Sequence, residues 1–155
     1  MSFTTDQRFK ALDVLIQAAK NQADPQTAFY LCRLGFVQIC GNLERCVELL
    51  IRERFDKRAP PQIDEFLSRF FKRGTNYDCE EICALLYRFD KGWGRTLEDF
   101  IKSNQQVKDS INGCYGLRNA IAHGEAPGSP GYTMLQQYFD VSKTMVAKIE
   151  AAIRT

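Results

Sequence analysis

Between Pro25 and Asp56 the chain keeps a single apolar register without interruption. Phe29, Cys32, Phe36, Ile39, Leu43, Cys46 and Leu50 recur at alternating gaps of three and four. A helix turns once every 3.6 residues, so this spacing lines all seven along one face. A strand, with its period of two, would scatter them over both faces. Leu34, Val37, Val47 and Ile51 widen the stripe. A helix this long and apolar has to be covered on more than one side. The other helices of a bundle would do this, and so would a second copy of the chain. Gly35 and Gly41 are expected to let a neighbouring helix come close.

The remaining sequence repeats the helical theme. Asp24 is placed to cap the long helix, with Pro25 as its first residue. An earlier helix is predicted over about Asp6 to Gln22, with Phe9, Leu12, Leu15, Ile16 and Ala19 inward. Ala59-Pro60-Pro61 ends the long helix. A third helix then runs from roughly Gln62 to Lys72, burying Ile63, Phe66, Leu67, Phe70 and Phe71. Arg73-Gly74-Thr75-Asn76 is a turn. Cys79 to Phe89 forms a fourth helix, Gly92-Trp93-Gly94 is expected to break it, and Thr96 to Ser103 forms a short fifth. Trp93 is expected to plug the bundle. A sixth helix runs from Asn104 or Gln105 to Ala122, with Val107, Ile111, Cys114, Leu117 and Ile121 on its apolar side. Gly124 is its expected C-terminal cap. Glu125 to Gly131 is a loop, and Tyr132 to Ile153 a last helix with Met134, Tyr138, Val141, Met145, Ile149 and Ala152 inward. Strand-like alternation is absent. The expectation is one all-α helical bundle over residues 1–155, with up-and-down topology.

A net charge of +2 does not announce a nucleic-acid binder. Two local groups are more suggestive: Arg52, Arg54, Lys57 and Arg58, then Arg69, Lys72 and Arg73. Each is a solvated helix face on its own terms, and a phosphate track only if it lies beside His123. The first residues carry no apolar signal core and no window is apolar enough to span a bilayer, so a cytoplasmic protein without membrane contact is expected. The six cysteines, Cys32, Cys40, Cys46, Cys79, Cys83 and Cys114, fall among apolar neighbours and are expected to be free core residues. Cys79 and Cys83 share a helical face, but no second pair accompanies them, which argues against a structural zinc site.

The chemistry is concentrated in Arg118-Asn119-Ala120-Ile121-Ala122-His123-Gly124, which holds the single histidine of the chain. Arginine offers a permanent, forked positive charge for a phosphate. Histidine can give or take a proton near neutral pH. At about 100° per residue, Asn119 and His123 share a face with Tyr115 one turn earlier, while Arg118 stands roughly 140° away from His123. One straight helix therefore does not join the two side chains. The reach of arginine and the loosened last turn would help. So would two copies of the helix facing each other across a two-fold axis. Arg118 and His123 also suit the negative end of a helix dipole, the purely structural role for both.

Arg-Asn-x-x-x-His followed by glycine, on the penultimate helix of a small all-α chain, resembles the HEPN family. The long second helix with Glu44 in its middle resembles the HEPN long helix. The block Ile82 to Phe100, with Leu85-Leu86-Tyr87-Arg88-Phe89-Asp90 and Trp93, resembles the RiboL-PSP branch, a prokaryotic group linked to toxins and defence. The resemblance implies an endoribonuclease that needs no metal or cofactor. It acts on RNA, is usually a homodimer with a composite site, and has an antitoxin protein as a candidate partner. Arg118 and His123 are then the catalytic residues. Asn119, Glu44 and Tyr115 bind or orient, with Glu44 either meeting Arg118 or facing solvent, and Tyr115 either stacking on a base or, preferably, filling the dimer interface. Where some relatives carry a modified tyrosine two residues after the histidine, this chain has Glu125, which puts that control in doubt. The competing expectation is a non-catalytic HEPN module that dimerises and binds RNA or a protein. A metal-dependent hydrolase is a distant third, because a carboxylate cluster with ligand spacing is missing.

Overall fold

A computed structural model describes residues 3–55, 60–71, 77–125, 128 and 130–155. Among these residues the chain forms seven α-helices and no strand: α1 Phe3–Asn21, α2 Pro25–Phe55, α3 Pro61–Phe71, α4 Cys79–Phe89, α5 Lys91–Ser103, α6 Gln105–Ala122 and α7 Tyr132–Arg154. Asp24 caps α2 as its sequence implies, its carboxylate accepting from the Thr27 backbone N–H at 2.7 Å and from the Thr27 hydroxyl at 2.5 Å. The expected turn at Arg73-Gly74-Thr75-Asn76, and Lys57, Arg58 and Lys72, lie outside the described residues.

The long register of α2 is the axis of the core. Cys32, Phe36, Ile39, Leu43, Cys46, Val47, Leu50 and Ile51 are all buried, and Cys40 joins them. Phe29 and Val37 are half-buried, and Leu34 is exposed. α1 runs antiparallel to α2, with Arg8 Nε donating to Asn42 Oδ1 at 3.1 Å and Leu15 facing Leu34 across a shallow groove. α1 is antiparallel to α7 as well: Phe9 packs edge-on to Phe139, and the Lys20 ammonium lies over the Tyr132 ring. In strict up-and-down alternation the first and seventh helices would run parallel. That expectation is corrected, because three short helices intervene between α2 and α6. Gly35 receives α7 closely, since a Cβ there would lie 2.7 Å from a Leu135 methyl, whereas Gly41 faces open space and is not a packing glycine.

Three further expectations change. Gly92-Trp93-Gly94 lies inside α5. The break falls instead at Asp90, whose extended backbone ends α4 while its carboxylate accepts from Gly92 N and Trp93 N at the start of α5. Gly94 serves close approach, because a Cβ there would meet the Tyr87 ring at 2.3 Å. Trp93 is buried against Phe55, as a plug. On α3 only Leu67 is buried. Ile63 and Phe66 are exposed, and Phe70 and Phe71 pack partly against Phe89. On α7 the expected Met145, Ile149 and Ala152 are buried, joined by Leu135, Phe139, Val146 and Ile153, while Met134 is exposed and Tyr138 and Val141 are half-buried. The difference is confined to the first turns, where both registers are apolar in sequence and the space at Gly35 and the face of Phe9 select the one that starts at Leu135.

No helix among the described residues is long and apolar enough to cross a membrane.

Candidate functional site

The helix carrying the Arg-Asn-x-x-x-His sequence is tied down along its whole length. Near its start, Asn112 accepts from the Cys79 backbone N–H at 3.0 Å and donates to Glu80 at 3.0 Å, and Lys108 pairs with Glu80 at 2.6 Å. These bonds fix α6 to α4. In its middle, Cys114 and Tyr115 are buried against α2: the Cys40 and Cys114 sulfurs stand 3.6 Å apart, and the Tyr115 hydroxyl donates to the Cys40 carbonyl at 3.3 Å.

Its end is a two-bond cap. Gly124 takes φ +74°, its N–H donates to the Ile121 carbonyl at 3.1 Å, and the Glu125 N–H donates to the Ala120 carbonyl at 2.9 Å. This is the Schellman arrangement, and it needs a residue at ease with positive φ. His123 is the residue at the turn, exposed, with its own N–H bonded to the Asn119 carbonyl. Arg33 of α2 holds the chain just beyond, donating to the Glu125 carbonyl at 3.3 Å.

The cluster on the α2 side contains four of the five expected site residues. Arg118 Nη1 donates to Asn119 Oδ1 at 3.0 Å. Glu44 is half-buried, with one carboxylate oxygen enclosed and without a hydrogen-bond partner. Burial raises its pKa, while the Arg118 charge and the Tyr115 hydroxyl pull the other way. Glu44 is thus within electrostatic reach of the Arg118 charge and only half open to solvent. Tyr115 lies in the core of the single chain, 3% exposed, and burial pushes its phenol far up. It neither offers a ring to a base nor reaches an interface, because its position on α6 is where that helix meets α2. This corrects both expected roles and leaves it as a brace beneath Glu44. His123 stands apart from the four, on the exposed end of the helix one turn beyond Asn119.

Among the described residues, Arg52 and Arg69 of the two basic groups are engaged in ion pairs of their own. Arg52 pairs with Glu48 and Asp64, and Arg69 with Glu65. Two participants were not evident in the sequence. Cys40 stands one position beside the spaced seam. Arg33 lies on the polar side of α2, and only the fold brings Glu125, 92 residues later, to it. The cysteines are free, five of them buried, and burial raises the thiols of Cys46 and Cys83 to about 11 and Cys79 to about 12. No group of three or more His, Cys, Asp or Glu among the described residues is placed to hold a metal ion.

Six helices around one long buried helix, with Arg118 and His123 at the end of the penultimate one, define an all-α domain of the HEPN class. The family model described as RiboL-PSP-HEPN matches residues 4–155, and the chain belongs to that family. HEPN domains are frequently endoribonucleases and commonly dimerise and bind RNA. No curated protein and no solved structure matches the chain.

Proposed function

We propose that this chain is a metal-independent endoribonuclease that cleaves single-stranded RNA by attack of the 2′-hydroxyl on the neighbouring phosphorus. His123 takes the hydroxyl proton, or protonates the departing 5′-oxygen. Arg118 neutralises charge that builds on the phosphoryl oxygens, where a forked cation is worth most. Asn119, bonded to Arg118, sets the plane of the guanidinium. Glu44, over Tyr115, draws Arg118 toward α2. The products are a 2′,3′-cyclic phosphate and a 5′-hydroxyl, and DNA, lacking the nucleophile, is not cut.

The observation that carries this reading is the pairing of Arg118 with Asn119 beside an exposed histidine on the same helix end, in a family rich in ribonucleases. The angle between Arg118 and His123 favours a homodimer in which each site takes groups from both copies. A toxin or defence effector of the prokaryotic cytoplasm, restrained by an antitoxin protein, is the biological setting we favour.

The test is cleavage of labelled single-stranded RNA with chelator present, wild type beside His123→Ala, with product ends analysed. Chelator-resistant cleavage to cyclic-phosphate ends, lost in the variant, supports the reading. Equal behaviour of the two proteins overturns it in favour of a non-catalytic HEPN module that binds RNA or a protein.

A further inference from the structure

We propose that Phe29, Tyr30 and Arg33 of α2 form a nucleobase subsite beside the helix end that carries His123. It takes a base of single-stranded RNA next to the scissile phosphate. This deepens the ribonuclease reading and rests on it.

The placement follows from contacts. Lys20, at the end of α1, lies over the Tyr132 ring at the start of α7, so those two ends meet. α2 begins after only three intervening residues, at the same end of the bundle. Arg33 then bonds the Glu125 carbonyl, which brings the end of α6 to the first turns of α2. Two residues of chain span at most about 7 Å, so the Arg33 guanidinium lies close to the backbone of His123.

The side chains suit a base and its phosphate. Tyr30 is 58% exposed, far more than a core aromatic, and it is braced by Phe29, whose ring meets it edge-on at 5.6 Å. A fixed ring with open surface is a stacking platform, and stacking tolerates any base because every base has a π face. The Arg33 guanidinium lies 5.4 Å from the centre of the Phe29 ring. Tyr30 and Arg33 are three apart on one helix, so their side chains are neighbours. The bond to Glu125 engages one of the five N–H groups a guanidinium carries. An aromatic platform flanked by a forked cation matches a nucleotide better than it matches an apolar partner. Of the carboxylates at this end, Asp24 is engaged in capping Thr27, and Glu125 is exposed.

The experiment uses the full chain and a fluorescein-labelled single-stranded RNA of mixed sequence with every 2′-hydroxyl methylated, so that binding is read without cleavage. Affinity is measured by anisotropy for wild type, Tyr30→Ala, Tyr30→Phe and Arg33→Ala. The expected result is a loss on the order of tenfold for Tyr30→Ala, with Tyr30→Phe within about twofold of wild type, because only the ring is needed. Arg33→Ala is expected to weaken binding and to flatten its dependence on salt. Equal affinity of wild type and Tyr30→Ala overturns the subsite, whether or not the protein cleaves RNA. If Tyr30→Ala leaves RNA affinity intact but shifts the sedimentation of the protein, the face belongs to a second copy and the subsite is likewise overturned. Tyr30-dependent binding by a protein that cleaves nothing keeps the subsite and removes the nuclease.

Discussion

The Tyr115 hydroxyl donates to the Cys40 backbone carbonyl at 3.3 Å, joining the two helices that build the site through a contact 75 residues apart. The carbonyl is already part of the α2 ladder, so the bond adds a second acceptor role without unwinding the helix. It fixes the height of α6 against α2, and with it the position of Arg118 relative to Glu44. A site of this kind is held by its buried side and works from its exposed one.

Arg118 is expected to act through its fork as well as its charge. Arg118→Lys keeps the charge and loses the paired geometry with Asn119. Single-turnover cleavage should fall by roughly 100-fold or more in this variant, the scale of one lost transition-state donor. A lysine variant as fast as wild type would show that charge alone suffices.

Glu44 gives a pH dependence with a definite sign. Its pKa is raised by burial, against the pull of Arg118 and Tyr115. The folded state therefore holds this proton more tightly than the unfolded chain does. The stability it contributes is present below the unfolded carboxyl pKa and is lost as pH rises through the higher, folded value. Glu44→Gln should remove that loss. Its melting temperature should match or exceed wild type at pH 7, and the advantage should shrink toward pH 4. Thermal melts across that range decide the matter, and an advantage that grows on acidification contradicts the assignment.

Gly124 adopts φ +74°, and no atom lies within 4 Å of where a Cβ would stand. Substitution by alanine therefore tests backbone conformation without a clash. Gly124→Ala should cost about 1–2 kcal/mol, a fall in melting temperature of roughly 2–8 °C for a chain of this size. Because the cap sets the turn that presents His123, cleavage should fall further than folding does. Calorimetry beside a cleavage assay on the folded variant separates the two losses.

Cys40 and Cys114 lie sulfur to sulfur in the core, and the hydrogen bond that the Cys40 thiol donates to Cys114, together with burial, holds the Cys40 thiol in its protonated form. Only the thiolate reacts, so Cys40 should resist alkylation in the native protein, and Cys114, buried beside it, is shielded from the reagent. Cys83 is half-buried with its thiol raised to about 11, and should label first, though slowly. Peptide mapping of an iodoacetamide time course, with and without denaturant, gives the order. Native labelling of Cys114 ahead of Cys83 would mean that the α2–α6 contact opens.

Much of this was legible along the chain. Six of the seven helices both start and stop within three residues of their sequence signals. The Asp24 cap and the Gly124 cap stand where short-range chemistry puts them. α5 is the exception, because Asp90 caps it and the two glycines that look like a break are used for space under Tyr87 and beside Asp90. The choice between Met134 and Leu135 as the first inward residue of α7 was also hidden, since both registers are apolar and a neighbouring helix breaks the tie.

The candidate site divides in the same way. Arg118, Asn119 and His123 are close in sequence, so helical geometry alone fixes their relative directions and the gap between Arg118 and His123. Their surroundings were not fixed that way. Glu44 within the field of Arg118, Tyr115 buried rather than at an interface, and Arg33 holding Glu125 all depend on where α2 and α6 cross. Sequence determines what hydrogen bonding and periodicity decide within a few turns: the helices, their caps and the order of chemical groups along them. Tertiary structure decides which faces meet, because a contact between residues 75 or 92 positions apart is set by the packing of whole helices and leaves no local mark.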